Sequence, residues 1–405
     1  MATTVKEMTD SPRDMLAGLL AAVRLCVPDD VTGLLAAKAR SLGASRLTLY
    51  LADQEQALLM PVPTGGAEPG DPLRIEGTLA GRCFRHTEQQ EGNEGHEVWL
   101  PLSDGLERIG VLQLEFSDPG ARVEDELLGM FATITAEIVV AKNAYGDMFT
   151  LVRRREPMSL AGEITWNLMP PLSFGTDRVV ISCLLAPAYD VGGDSFDYAV
   201  DDSVARIALF DAMGHGLDAG LLATVTIAAY RRARRTGLDL GGTVAAVDAA
   251  VAESFDGQPF VTGVLAEVDL ATGELSWHSA GHPAPLLLRG TRIVDTLKPQ
   301  GALPLGLGTV FDDTREVSRE SLEPGDRVLL YSDGVVEARD ATGAFFGVDR
   351  LSDFVSREAG AEMPAPETMR RLMHAILEHQ EGALQDDATT MLVEWRGGAA
   401  AQVSP

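Results

Sequence analysis

Cysteine is scarce. Cys26, Cys83 and Cys183 are the only three in 405 residues, and no two form a CxxC pair. That excludes a disulfide framework and a zinc–thiolate cluster, and it suits a reducing compartment. Basic residues are outnumbered, 33 against 60 acidic, for a formal net charge of -27. A chain of this sign lacks the basic face that grips a phosphate backbone, so no nucleic-acid partner is expected. Most of the acidity is read as solvated surface, and part of it as carboxylates that divalent cations neutralise. No apolar run reaches the ~20 residues that span a bilayer. The opening MATTVKEMTDSPRDM has no basic segment leading into an apolar one. The expectation is a cytoplasmic protein with no membrane partner.

What is present is long enough for two cores. Residues 1–12 are polar and read as a flexible N-terminus. From 13 to 145 the chain suggests an α+β domain: apolar helical spacing from Met15 to Ala39, an alternating strand over 45–53, and a short helix within 74–88. EVWLPLSD (97–104) and ERIGVLQLEF (107–116) then read as an antiparallel pair. A near-continuous helical segment follows over 123–170, with Leu127, Leu128, Phe131, Ile134, Ile138 and Val139 at heptad-like spacing, interrupted at Gly146 and Pro157. Two readings of it stand open: a linker that pairs in a homodimer, or a helix that caps its own domain. Arg153, Arg154 and Arg155 form a basic cluster, read as a solvated face or a contact for an acidic partner. The second domain, 171–396, has strands and helices in separate runs. It reads as α+β with a mostly antiparallel core, and the strands from 260 to 297 read as one meander. Residues 397–405 form a tail.

The chemistry concentrates in the second domain. Asp194 follows Gly192 and Gly193. Asp211 ends the apolar run ARIALF and precedes Gly214-His215-Gly216. Asp333 ends RVLLYS and precedes Gly334, and Asp386 and Asp387 precede ATTMLVEW. A single aspartate at a strand end is ordinarily a turn or cap residue. Four such sites, each beside a glycine or a second aspartate, suit a hard cation, because oxygen donors fixed at strand ends match Mg²⁺ or Mn²⁺. Two such ions polarise a phosphoryl oxygen and lower the pKa of a bridging water, which predicts phosphoester hydrolysis without a covalent intermediate.

Two resemblances carry this further. The strand-turn-strand WLPLSDGLERIGVLQLEF, followed by a long helix, makes residues 13–145 similar to a GAF sensor domain. That implies a small-molecule ligand for the GAF-like domain, although nothing in the residues identifies one. His86, His96 and Cys83 are too few and too irregular for a haem or metal site. VGGDSFD, DAMGHGLDA, FVTGVLAEVD, HSAGHPAPLLL, PLGL, RVLLYSDGVVEARD and DDATTML occur in the order seen in the SpoIIE-like serine phosphatases of the protein phosphatase 2C (PPM) superfamily, to which the chain is similar. That resemblance implies a layered α-β-β-α domain holding two divalent cations, Mn²⁺ or Mg²⁺. It implies metal ligands at Asp194, Asp211, Asp333 and Asp386, a backbone carbonyl at Ala212, and Asp387 close by. The substrate it implies is a phosphorylated anti-anti-sigma (STAS-type) protein in a partner-switching pathway. GALPLGL (301–307) is expected either near the mouth of the site or as packing.

His215 is a candidate general acid for the leaving alkoxide, against the alternative of a helix-terminal residue satisfied locally. His278 and His282 read as turn residues. GGDSF (192–196) resembles the GGDEF signature of diguanylate cyclases, but Ser195 stands where an acid is required and the later motifs have no place there. The competing function is a sensory scaffold that binds a phosphorylated partner without appreciable turnover.

Overall fold

The computed structural model describes residues 12–65, 70–186, 189–190, 192–254, 259–298, 303–308, 316–361, 363–381 and 384–397. The expected flexible N-terminus and tail lie outside these apart from Pro12 and Gly397, as does the start of GALPLGL, residues 301–302. The chain divides into two compact units, Met1–Glu156 and Pro157–Pro405.

The first unit is one antiparallel sheet with helices on both faces. Its elements are α1 (Pro12–Val23), α2 (Val31–Ala39), β1 (Arg46–Ala52), β2 (Leu58–Pro61), β3 (Leu73–Arg74) and α3 (Leu79–His86). Then come β4 (Gln90–Gly92), β5 (Glu97–Asp104), β6 (Glu107–Glu115), α4 (Asp125–Asn143) and α5 (Met148–Val152). The strand order is β3-β2-β1-β6-β5-β4. Alternation along β1 shows why both faces are covered. Leu47, Leu49 and Leu51 join a core with α1, α2 and α4, while Tyr50 and Ala52 face Cys83 and Phe84 of α3.

The segment over 123–170 is less continuous than its spacing suggested. It breaks into α4, α5 and, in the second unit, α6 (Leu160–Leu168). Leu128, Phe131, Ile138 and Val139 are buried in the first unit's own core, with Leu127 and Ile134 packed against it. The proposed dimer seam is therefore occupied within the unit.

The basic cluster is not a solvated face either. Arg155 Nε lies 3.1 Å from Asp53 Oδ2, and Arg155 also pairs with Glu55. Arg153 donates to the Ala52 carbonyl at 2.9 Å. The acidic partner was in the same unit.

In the second unit, α6 is followed by β7 (Ser173–Gly175), β8 (Val179–Ala186), β9 (Asp194–Val200), β10 (Val204–Ala212), α7 (Gly216–Arg235) and α8 (Leu240–Ser254). The chain continues through β11 (Val261–Asp269), β12 (Glu274–Ala280), β13 (Leu286–Arg289), β14 (Arg292–Thr296), β15 (Ser318–Ser321) and β16 (Arg327–Tyr331). It closes with α9 (Asp333–Val336), α10 (Gly347–Gly360), α11 (Ala365–His379) and β17 (Ala388–Trp395). Two antiparallel sheets result, β15-β12-β11-β10-β9 and β14-β13-β16-β17-β8-β7. The expected single meander is thus split. β11 and β12 belong to the first sheet, and β13 and β14 to the second. The chain crosses between sheets after Ala280, where Gly281 takes φ 64°.

The two sheets face each other across one apolar core. It draws Ile207 and Leu209 from β10, Val264 from β11, Ile181 from β8, Leu330 from β16 and Met391 from β17. The outer face of the first sheet is covered by α7 and α8 through Ala208, Phe210, Ile227 and Val247. The outer face of the second is covered by α10 and α11 through Leu184, Leu329, Leu351 and Leu372. Every residue of β8 is buried, as expected for a strand covered on both faces. The result is the layered α-β-β-α arrangement.

Helix α6 packs on α7 at a small-residue contact. A Cβ on Gly220 would lie 3.3 Å from the Ala161 Cβ. Ser159 caps α6, its Oγ accepting from Gly162 N at 3.0 Å.

Candidate active site

The site follows from strand parity. Along β10, Ala205, Ile207 and Leu209 point into the core between the sheets, and the next residue of that parity is Asp211. On β9 the inward Phe196 is preceded in parity by Asp194. The register sets Asp194 directly opposite Asp211. On the facing sheet, Val328 and Leu330 lead in parity to Ser332, and Met391 and Val393 lead back to Thr389 and Asp387. At this one end of the sandwich the inward positions change from apolar to acidic and hydroxylic.

Asp387 ties the two sheets together there. Its Oδ2 accepts from the backbone N–H of Gly192, Gly193 and Asp194 at 2.6, 2.8 and 3.1 Å. Three amides on one carboxylate oxygen hold the loop before β9 against the start of β17. The glycines are required by close approach. A Cβ on Gly193 would stand 2.2 Å from the Ala212 carbonyl oxygen, and one on Gly334 would stand 1.9 Å from the Asp387 carbonyl oxygen. Ala212 N–H donates to the Gly193 carbonyl at 3.2 Å. Ser332 Oγ donates to the Asp387 carbonyl at 3.3 Å and accepts from Thr389 N at 3.0 Å.

The remaining acids form the rim. Asp333 opens α9 instead of ending a strand, because β16 stops at Tyr331 and Ser332 takes the cap position. Asp333 and Asp386 are exposed, Asp211 is half-buried, and Asp194 and Asp387 are buried. The Asp194 Oδ2 is buried without a hydrogen-bond partner.

The electrostatics show how closely the carboxylates crowd. Burial, then the charges of Asp211 and Asp387, push the Asp194 carboxyl well above the usual range, while the Thr389 and Ser332 hydroxyls act the other way. Burial, then Asp333 and Asp386, raise Asp211 to about 7. Burial raises Asp387 to about 6 against the pull of its three amides. Burial, then Asp386 and Glu337, raise Asp333. Desolvation plus like charge is the pattern expected where carboxylates are collected for a counter-ion. Among the described residues, no group of three or more His, Cys, Asp or Glu side chains has the spacing to hold a metal ion. The donors fit a hard divalent cation in kind: they are all oxygens, and one of them is buried and unpartnered.

Sequence reasoning did not single out Thr262. Its hydroxyl lies 3.4 Å from Asp211 Oδ2 and 2.8 Å from His282 Nδ1. His282 is buried, and burial drives its pKa down to about 4, so the ring is neutral. The signal was register: Thr262 pairs with Asp211 across β10 and β11. His278 is held elsewhere, its Nδ1 2.9 Å from the Glu316 carbonyl. His215 is exposed at the N-terminus of α7, and its side chain makes no capping hydrogen bond. The described part of GALPLGL is held against the end of β11 that pairs with Asp211 and Ala212. Asp248 of α8 accepts from Gly306 N at 2.8 Å and Gly308 N at 3.0 Å, and Leu305 bridges to Val261.

Residues 201–396 match the family model described as stage II sporulation protein E (SpoIIE). The second unit is thus similar to the SpoIIE family over most of its length. Its similarity extends to the phosphoserine phosphatase RsbU of Bacillus subtilis, 25% identical over 256 residues, covering 62% of this chain and 74% of that protein. RsbP, also a phosphoserine phosphatase of B. subtilis, is 26% identical over 257 residues, covering 61% of this chain and 60% of RsbP. Among solved structures, the SiaA-PP2C domain of Pseudomonas aeruginosa is similar with a TM-score of 0.49 and 22% identity, over 58% of this chain and 94% of that one. Asp194 and the other residues of VGGDSFD precede the matched segment, whereas Asp211, Thr262, Asp333, Asp386 and Asp387 fall inside it.

Proposed function

We propose that this chain is a divalent-cation-dependent phosphatase of phosphoserine or phosphothreonine proteins. The observation that carries the reading is the convergence of inward-facing carboxylates from both sheets on one open end of the sandwich. The phosphoserine phosphatases to which it is similar support the choice of substrate class.

Asp194, Asp211, Asp333 and Asp386, with the Ala212 carbonyl, would hold two cations, Mn²⁺ or Mg²⁺. Such ions polarise a phosphoryl oxygen and supply hydroxide near neutral pH. The chain's own part is preorganisation. Asp387 fixes the Gly192–Asp194 loop, Thr262 steadies Asp211, and Gly193 leaves the Ala212 carbonyl free of a side chain. His215, exposed four residues beyond Asp211, is assigned as proton donor to the leaving alkoxide. The substrate is a phosphorylated anti-anti-sigma-type protein of a partner-switching pathway, and the first unit acts as a GAF-like sensor of a small molecule.

Calorimetric titration with Mn²⁺ tests the cation assignment. The parent chain should bind two equivalents and Asp211→Ala should lose at least one. Equal binding by both would overturn it. Phosphate release from a phosphoserine protein separates the enzyme from a scaffold that binds its partner without turnover.

A further inference from the structure

Beside the rim of the site lies a cleft of about 170 Å³, lined by Asp333, Gly334, Glu337, Ala338, Arg339, Gln380, Gln385 and Asp386. It is smaller than the ~300–1,000 Å³ of pockets that enclose whole small molecules, so it is sized for one side chain. Three carboxylates line it against one guanidinium. That guanidinium is engaged elsewhere, with Arg339 Cζ 4.4 Å from the Phe345 ring centroid.

An independent observation points to a missing donor. Gln380 is only 7% exposed, and its Oε1 is buried with no hydrogen-bond partner among the described residues. A buried acceptor left unmade costs roughly 1–3 kcal/mol, and such a group is open to a donor from outside the chain, a water or a ligand. Gln385 adds to the same wall, donating from Nε2 to the Arg339 carbonyl at 3.5 Å. Glu337 is exposed at the C-terminal end of α9 and is not among the four carboxylates assigned to cations. A side chain entering here therefore meets one uncommitted carboxylate, with the unpartnered Gln380 amide oxygen buried in the cleft wall. Both are acceptors, so the complementary group is a cation with several N–H donors.

We infer that this cleft is a substrate subsite that takes a lysine or arginine side chain flanking the phosphorylated serine, held by Glu337 and Gln380. The inference rests on the phosphatase reading and deepens it. Asp333 and Asp386 form the wall shared with the reacting centre, so a residue close in sequence to the phosphoserine would reach the cleft while its phosphate lies at the carboxylates.

The test uses the full chain with Mn²⁺ and three phosphoserine peptides that differ only in the flanking residue: lysine, alanine or glutamate. p-Nitrophenyl phosphate, which has no flanking residue, serves as the control. The expected result is a kcat/KM for the lysine peptide at least fivefold above alanine and further above glutamate, carried mainly by KM. Gln380→Leu should erase that preference, and Glu337→Lys should invert it toward the glutamate peptide. The peptide preference of each variant is read relative to its own rate on p-nitrophenyl phosphate. Equal rates on all three peptides, with the control substrate still hydrolysed, would overturn the subsite and leave the phosphatase reading intact. Failure to hydrolyse the control and every peptide would overturn both.

Discussion

Without a cation, the carboxylate cluster should make the folded protein less stable as pH rises, the reverse of the usual behaviour of paired acids. An acid whose folded pKa exceeds its unfolded value binds its proton more tightly when folded. Stability is then present below the unfolded pKa and is lost as pH climbs through the folded one. Asp211 is raised from 3.8 to about 7 and Asp387 from 3.8 to about 6. The window is therefore pH 4–7. At 1.36 kcal/mol per pKa unit, Asp211 alone accounts for at most ~4 kcal/mol, and its partial exposure trims that toward ~3. In a unit of this size, ~3 kcal/mol corresponds to roughly 6–12 °C in Tm. The assay is thermal unfolding of the full chain at pH 5 and pH 7.5, in chelator and in Mn²⁺, for the parent and Asp211→Asn. In chelator the parent should lose stability across this window relative to the variant, and Mn²⁺ should abolish the difference. Parallel pH profiles for parent and variant in chelator would refute the reasoning.

Other perturbations read the same architecture. Asp387→Ala removes the acceptor from three backbone N–H groups and should cost on the order of 3–5 kcal/mol, seen as a lower urea midpoint, whereas Asp387→Asn keeps one acceptor and should cost about half. Gly193→Ala drives a methyl to 2.2 Å from the Ala212 carbonyl, and should weaken Mn²⁺ binding at least tenfold by calorimetry. Arg155→Ala leaves the buried Asp53 carboxylate with its amide donors but without its guanidinium, and should destabilise the first unit by ~2–4 kcal/mol in hydrogen exchange of β1.

The fold was legible wherever one period dominated. Alternation along 45–53, 97–104 and 107–116 marked strands that the structure places at Arg46–Ala52, Glu97–Asp104 and Glu107–Glu115. The aspartates stood out because each interrupts an apolar stripe beside a glycine. Long-range pairing was the part that local pattern did not encode. The strands from 260 to 297 look like one meander, yet they divide between two sheets because the chain turns at Gly281. Asp386 and Asp387 are equivalent as a dipeptide, and only strand parity sends Asp387 inward onto three amides while Asp386 stays exposed. Thr262 and His282 meet because β12 returns beside β11, a contact between residues 20 apart. The helical spacing over 123–170 was visible, but its breaks and its burial against the first unit's own sheet depended on tertiary packing.

The central claim is that these carboxylates make a cation-dependent phosphatase. The most direct measurement is phosphate release from a phosphoserine peptide by the full chain in Mn²⁺, beside the same chain in chelator and beside Asp333→Ala. The account predicts release in Mn²⁺ alone, reduced at least a hundredfold by Asp333→Ala with an unchanged circular dichroism spectrum. Release that persists in chelator, or that survives Asp333→Ala at the parent rate, would contradict it.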